Sequence, residues 1–367
     1  MRTLIATVLV CAMALPAVAD DPLLDEAVEF TGQVFFLEHG VPGLVIAAVR
    51  GDDSAIFGFG EIAKGSGQAP DGQTRIGVGS ITKSFTGLVL ARLVAEGTVA
   101  LTDAVDPYLG VVDQLPTRDR QVVRYLDLAT HSGGFRRELA PIDGVEKYSD
   151  ASFAANLTDA PLLFTPGAGV LYSNVGFDVL GMALAGAAGK PYDTLLAEAV
   201  LSPIGLSQTS YAKPEGPNAM AGYDWTGEPM DPGDAIDNRH GASGLYTSAD
   251  DMVRYLTWSL DRFGSDAEMR TLSHAAYLVR DGLDPVYGMD ESGHMDAMAL
   301  GLVVMMPDGD RPYILQKAGG TNGVFSYIAF APHRGVGVFM AINQFNFGAG
   351  MAMAETANAL IATLAPR

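Results

Sequence analysis

Cysteine is almost missing from this chain of 367 residues: Cys11 is the only one. It falls inside an N-terminal segment with the pattern of an export signal, so the mature part has no thiol. That excludes cysteine nucleophiles, disulfide cross-links and cysteine-based metal centres. Histidine is sparse as well. The six, at 39, 131, 240, 274, 294 and 333, include no HxxxH or HxH pair, and no aspartate-rich calcium loop occurs. No metal and no cofactor is therefore expected. His131, in the loop-like Thr130-His131-Ser132-Gly133-Gly134, reads as structural rather than ligating. Basic residues are few, 23 Lys and Arg against 43 Asp and Glu for a net charge of −20. Such a surface disfavours nucleic acid and anionic membranes as partners. There is no Gly-x-Ser-x-Gly elbow of the α/β-hydrolase kind.

Long apolar runs are also lacking, apart from Leu4 to Leu15. At about 12 residues this run is too short to span a bilayer, so no stable membrane anchor is expected. Arg2 precedes it, and Ala17-Val18-Ala19 stands before Asp20, the order of a secretory signal. The expectation is a signal peptide over 1–19, cleaved after Ala19, and a periplasmic mature protein. Nothing in the sequence specifies an oligomer.

What is present is a globular composition, 48% hydrophobic and 18% charged, in a chain long enough for a large core. Helical patterning covers 23–38, 81–96, 121–129, 176–188, 192–200, 249–262 and Met351 to Leu364. Strand-like runs lie at Gly43–Arg50, Ser54–Gly60, Tyr313–Lys317, Gly323–Ala331 and Gly335–Ile342. This order predicts an α/β (α+β) fold: one antiparallel sheet formed by both termini, flanked by helices, with a mainly helical subdomain inserted. Residues 20–367 then form one domain, its α/β part approximately 20–79 and 263–367 and its helical part approximately 80–262.

Ser80-Ile-Thr-Lys83 opens the helix at 81–96. Residues three apart share a helix face, so the Lys83 amine would stand beside the Ser80 hydroxyl. A desolvated amine can take the proton that makes serine a nucleophile. The pattern recurs at Ser210-Tyr-Ala-Lys213, in a turn-like stretch before Pro214, so its meaning depends on companions. Two exist. Tyr172-Ser-Asn174 precedes a helix starting near Gly176, and Lys317-Ala-Gly319-Gly320 ends a strand.

Serine with lysine, Tyr-x-Asn and Lys-x-Gly in this order resemble the S-x-x-K, Y-x-N and K-T-G motifs of the serine β-lactamase and penicillin-binding-protein superfamily. The likeness has a class C character and is nearest to its AmpH-type branch. It extends over Arg75–Lys83, Leu128–His131, Tyr172–Leu180, Gly288–Asp290 and Gln316–Gly320, nearly the whole mature chain. The resemblance implies a β-lactamase/transpeptidase-like fold. It further implies a Ser80 nucleophile, Lys83 as proton acceptor, and Tyr172 as base, its phenolate favoured by Lys83 and Lys317. Asn174 would hold the Lys83 amine and the substrate amide, and Ser80 and Gly320 would supply oxyanion-hole N–H groups. Lys317, Ala318, Gly319 and Thr321 would bind the substrate. Ala318 departs from the family's threonine, whose hydroxyl helps hold a substrate carboxylate; Thr321 or Asn322 could compensate.

The leading expectation is a periplasmic D-Ala-D-Ala carboxypeptidase or endopeptidase with peptidoglycan stem peptides and β-lactams as ligands. The alternatives are a class C-like β-lactamase, an esterase using the same triad, and a non-catalytic β-lactam or muropeptide sensor.

Overall fold

A computed structural model describes residues 21–365 except 232, 234, 235, 237 and 238; the expected signal peptide lies outside the described residues. Among the described residues eight antiparallel strands form the main sheet: β1 (Gly43–Arg50), β2 (Asp53–Gly60), β3 (Leu278–Val279), β4 (Ala297–Met298), β5 (Val303–Met305), β6 (Ile314–Thr321), β7 (Val324–Ala331) and β8 (Val336–Ile342). Their order is 2-1-8-7-6-5-4-3. The first strand is thus paired along its length with the last, Leu44 opposite Ile342 and Arg50 opposite Val336. The sheet is built from both ends of the chain, as the patterning predicts.

β1 is a continuous apolar run because both its faces are covered. Leu44, Ile46 and Ala48 enter the apolar cluster under α1 (Pro22–His39) and the C-terminal helix Phe347–Leu364. Val45, Ala47 and Val49 enter the larger cluster on the other face. There α2 (Thr82–Ala95) is buried on nearly every side and α7 (Ala249–Leu260) packs on β1 and β8. Between them in sequence come α3 (Tyr125–Ala129), α4 (Asp150–Asp159), α5 (Asn174–Ala188) and α6 (Tyr192–Leu196), followed later by α8 (Ala267–His274) and, as α9, the C-terminal helix.

Several boundaries differ from the patterning. Residues 121–124 are not helical: Arg124 is extended, and its backbone N–H and guanidinium both donate to Asp127, so α3 starts at Tyr125. The segment after Leu196 passes into a π-helical turn, Ala197–Leu201. β6 does not stop at Lys317 but runs through the motif to Thr321. α9 begins at Phe347, four residues earlier than predicted, capped by Asn346, whose side chain accepts from the Ala349 N–H. Helices α4 and α8 and the short strands β3 to β5 are additional.

Candidate active site

Ser80 sits in a 3₁₀ turn, Gly79–Ile81, that feeds directly into α2, and Lys83 lies in the first turn of that helix. The Lys83 side chain is fully buried. Its Nζ stands 3.1 Å from Ser80 Oγ and donates to Asn174 Oδ1 and the Ala242 carbonyl, each at 2.7 Å. Tyr172 donates its hydroxyl to Ser80 Oγ at 2.7 Å. Its backbone N–H is fixed on the Tyr287 carbonyl, and its ring stacks on His131 with centroids 4.6 Å apart. Asn174 is held because it opens α5, capped by Ser173, whose hydroxyl accepts from the Gly176 N–H at 2.9 Å. Its amide donates to Glu138. Lys317 projects from β6 with Nζ 4.7 Å from the centre of the Tyr172 ring. Lys83 and Tyr172 therefore meet at the Ser80 hydroxyl, and Lys317 closes on the Tyr172 ring. Ser210 and Lys213 are elsewhere, Lys213 pairing at the surface with Asp231.

The Ser80 turn lies against the backbone of β6. A Cβ added at Gly79, which has φ +50°, would stand 2.3 Å from the Gly320 carbonyl oxygen, and one at Gly319 would stand 2.0 Å from that of Val78. Ser326 ties the two segments together by donating to the Val78 carbonyl at 3.1 Å. A cavity of about 570 Å³ opens here, lined among others by Ser80, Asn174, Glu138, Arg239, Gly320 and Thr321. Ala318 packs against the apolar cluster beneath α1 and α9, opposite the buried Tyr327. Thr321 lines the cavity, its side chain beside Gly77.

Burial governs the charges. It drives the Lys83 amine well below the usual lysine range, helped by the neighbouring Lys317 cation, and lowers Lys317 to about 8. Tyr172 is pushed up to about 12 by the same desolvation, despite its hydrogen bond to Ser80 and the Arg137 guanidinium over its ring. This corrects the expectation that the lysines favour a phenolate. The lysines lose their protons more readily, and the phenol keeps its own.

His131 is buried, and its Nδ1 accepts from the Ser173 N–H at 3.1 Å. Desolvation, then the Lys317, Lys83 and Arg137 cations, hold it well below its ordinary value of 6.5. Its folded-state value is depressed, so its contribution to stability is present above 6.5 and is lost as pH falls below it. Thermal unfolding of the wild type should accordingly shift downward on acidification through this range. A His131→Asn variant, which keeps an acceptor for Ser173, should show a shallower loss in Tm measured against pH.

Glu138, Arg239 and the Ala242 carbonyl also belong to the site and went unread in the sequence. Among the described residues no group of three or more His, Cys, Asp or Glu side chains could hold a metal ion.

The family model described as Beta-lactamase matches residues 19–363. The chain is 28% identical to D-alanyl-D-alanine-carboxypeptidase/endopeptidase AmpH of Escherichia coli (strain K12) over 382 residues, covering 99% of this chain and 97% of that protein. The solved beta-lactamase/D-alanine carboxypeptidase from Yersinia pestis superposes with a TM-score of 0.83 at 27% identity, over 94% of this chain and 99% of that one. A class C beta-lactamase shares the fold with a TM-score of 0.79 at 20% identity, over 96% of this chain and 99% of that one.

Proposed function

Because the chain belongs to the beta-lactamase family and is a serine hydrolase, we propose that it is an exported, periplasmic D-Ala-D-Ala carboxypeptidase/endopeptidase. Its substrates would be peptidoglycan stem peptides, and β-lactams would acylate the same serine. The observation that carries this reading is the Lys83–Ser80–Tyr172 array of hydrogen-bonding distances, 3.1 and 2.7 Å, beside the backbone of β6.

The chemistry follows from the proton positions. A neutral Lys83 amine spends its two hydrogens on Asn174 Oδ1 and the Ala242 carbonyl, leaving its lone pair toward Ser80. It takes the Ser80 proton as Oγ attacks the acyl carbon. The developing oxyanion is received by the backbone N–H groups of Ser80 and Gly320. Tyr172, a phenol donating into the same oxygen, passes its proton to the departing amine and recovers one from Lys83 through the array. Water then releases the acyl group by the reverse path. Lys317 supplies positive potential for the substrate carboxylate along Ala318 and Gly319, and Thr321 offers the hydroxyl that Ala318 lacks.

Ala318 favours one second reading, an esterase, since an ester need not present a carboxylate. A fluorescent penicillin should label Ser80, identified by peptide mass, and a pentapeptide muropeptide should release D-alanine; Ser80→Ala should lose both. Labelling at another residue would remove the nucleophile. Hydrolysis of p-nitrophenyl esters without D-alanine release would replace the carboxypeptidase reading by the esterase.

A further inference from the structure

Behind the Lys83 amine lies a buried carboxylate that the chemistry above does not use. Asp178, on α5, is 2% exposed. Its Oδ2 stands 3.6 Å from Arg239 Nε, and the Arg239 carbonyl accepts from the Ala242 N–H at 3.1 Å. The Ala242 carbonyl is one of the two oxygens that hold Lys83. Arg239 in turn donates to the Tyr148 hydroxyl at 2.6 Å and stands 3.6 Å from Glu138, the partner of Asn174. One carboxylate thus pairs with Arg239, the residue that adjoins both arms of the Lys83 cradle.

The segment 239–242 is seated tightly. A Cβ at Gly241 would stand 2.1 Å from the Phe177 carbonyl, one at Gly181 would stand 3.0 Å from Gly241 Cα, and Thr86 of α2 donates to the Gly241 carbonyl. A second cavity of about 300 Å³, lined among others by Asp178, Tyr192, His240 and Gly241, lies alongside this segment.

We infer that Asp178 is a positioning residue for acyl transfer: by anchoring Arg239, and through it the segment that carries the Ala242 carbonyl, it fixes the direction and the charge environment of the Lys83 amine. This rests on the reading that Ser80 is acylated with Lys83 as its proton acceptor.

The charged groups that act on Lys83 divide by sign. Lys317 from β6 and Arg239 from the cleft wall disfavour its ammonium form, while Asp178 from α5 and Glu138 favour it. Tyr172 and His131 adjoin it as neutral groups. Asp178 itself faces Arg239, Lys83 and Glu138, with Tyr211 beyond, and Asp193 and His240 share its cavity. The acylation rate should therefore rise with pH as Lys83 loses its proton, and the midpoint of that rise reports the surroundings of the amine.

The test is the pH profile of Ser80 acylation by a fluorescent penicillin in the full chain, for wild type, Asp178→Asn and Arg239→Gln. Asp178→Asn should lower the plateau rate by about 10- to 100-fold through misplacement of the amine and move the midpoint to lower pH. Arg239→Gln should move the midpoint the other way, to higher pH. Loosening of the structure alone would lower the plateaus without opposed midpoints. An adduct on Ser80 with unmoved midpoints, or with both moved in one direction, would overturn the role of Asp178 and leave the nucleophile intact. An adduct elsewhere would overturn the site and this inference together. Should Asp178→Asn fail to fold, Arg239→Gln decides by itself: an upward midpoint supports the inference and an unchanged one overturns it.

Discussion

Lys83→Met should slow acylation of Ser80 by about 10³-fold or more, within the range attributed to a general base. Methionine fills the same buried space but has no lone pair to take the serine proton. The folded state should survive the change. Asn174 Oδ1 and the Ala242 carbonyl each lose a donor, costing about 1–3 kcal/mol for each oxygen left unsatisfied. Against that, the variant no longer has to desolvate an amine in the interior. Stopped-flow labelling with a fluorescent penicillin, together with circular dichroism, separates the two effects. A folded variant that acylates at the wild-type rate would remove Lys83 from the mechanism.

Gly79→Ala should be nearly as damaging, for a geometric reason. The residue has φ +50°, where a side chain costs about 1–2 kcal/mol. The added methyl would also stand 2.3 Å from the Gly320 carbonyl oxygen, and backbone cannot yield as a flexible side chain does. β6 must move away from the Ser80 turn, which separates the two N–H groups proposed to receive the oxyanion. A loss of kcat/KM of about 10²- to 10³-fold is expected, the scale of removing one oxyanion donor. Gly51→Ala is the control. It also has positive φ, at +63°, but nothing lies within 4 Å of the added methyl. It should lower Tm modestly and leave kcat/KM unchanged; equal losses in both variants would refute the geometric explanation.

Much of this was readable in advance because it depends on side-chain type and period. β1, with both faces covered, is an unbroken apolar run, and its predicted limits coincide with those observed. Ser80, Lys83, Tyr172, Asn174 and Lys317 come together as expected, since each motif joins a chemically distinctive residue to the start of a helix or to a strand. What escaped has no such signature. Strands β3 to β5 are two or three residues long, too short for an alternation to register. Glu138 and Arg239 lie outside the regular helices and strands, where spacing carries no information, and Ala242 contributes a carbonyl that any residue would provide. The Tyr172 phenolate failed for another reason: counting nearby cations omits desolvation, which at a buried phenol outweighs them.

The pairing of the first strand with the last also governs when the enzyme can begin to act. Ser80 and Lys83 leave the ribosome well before β6, which completes their surroundings, and β8, which closes the sheet onto β1. Joining such distant segments is slow, because loop closure precedes any reward from contact. A chain interrupted before β6 would therefore carry its proposed nucleophile but no site to use it in, so hydrolytic activity has to wait for the strands that follow.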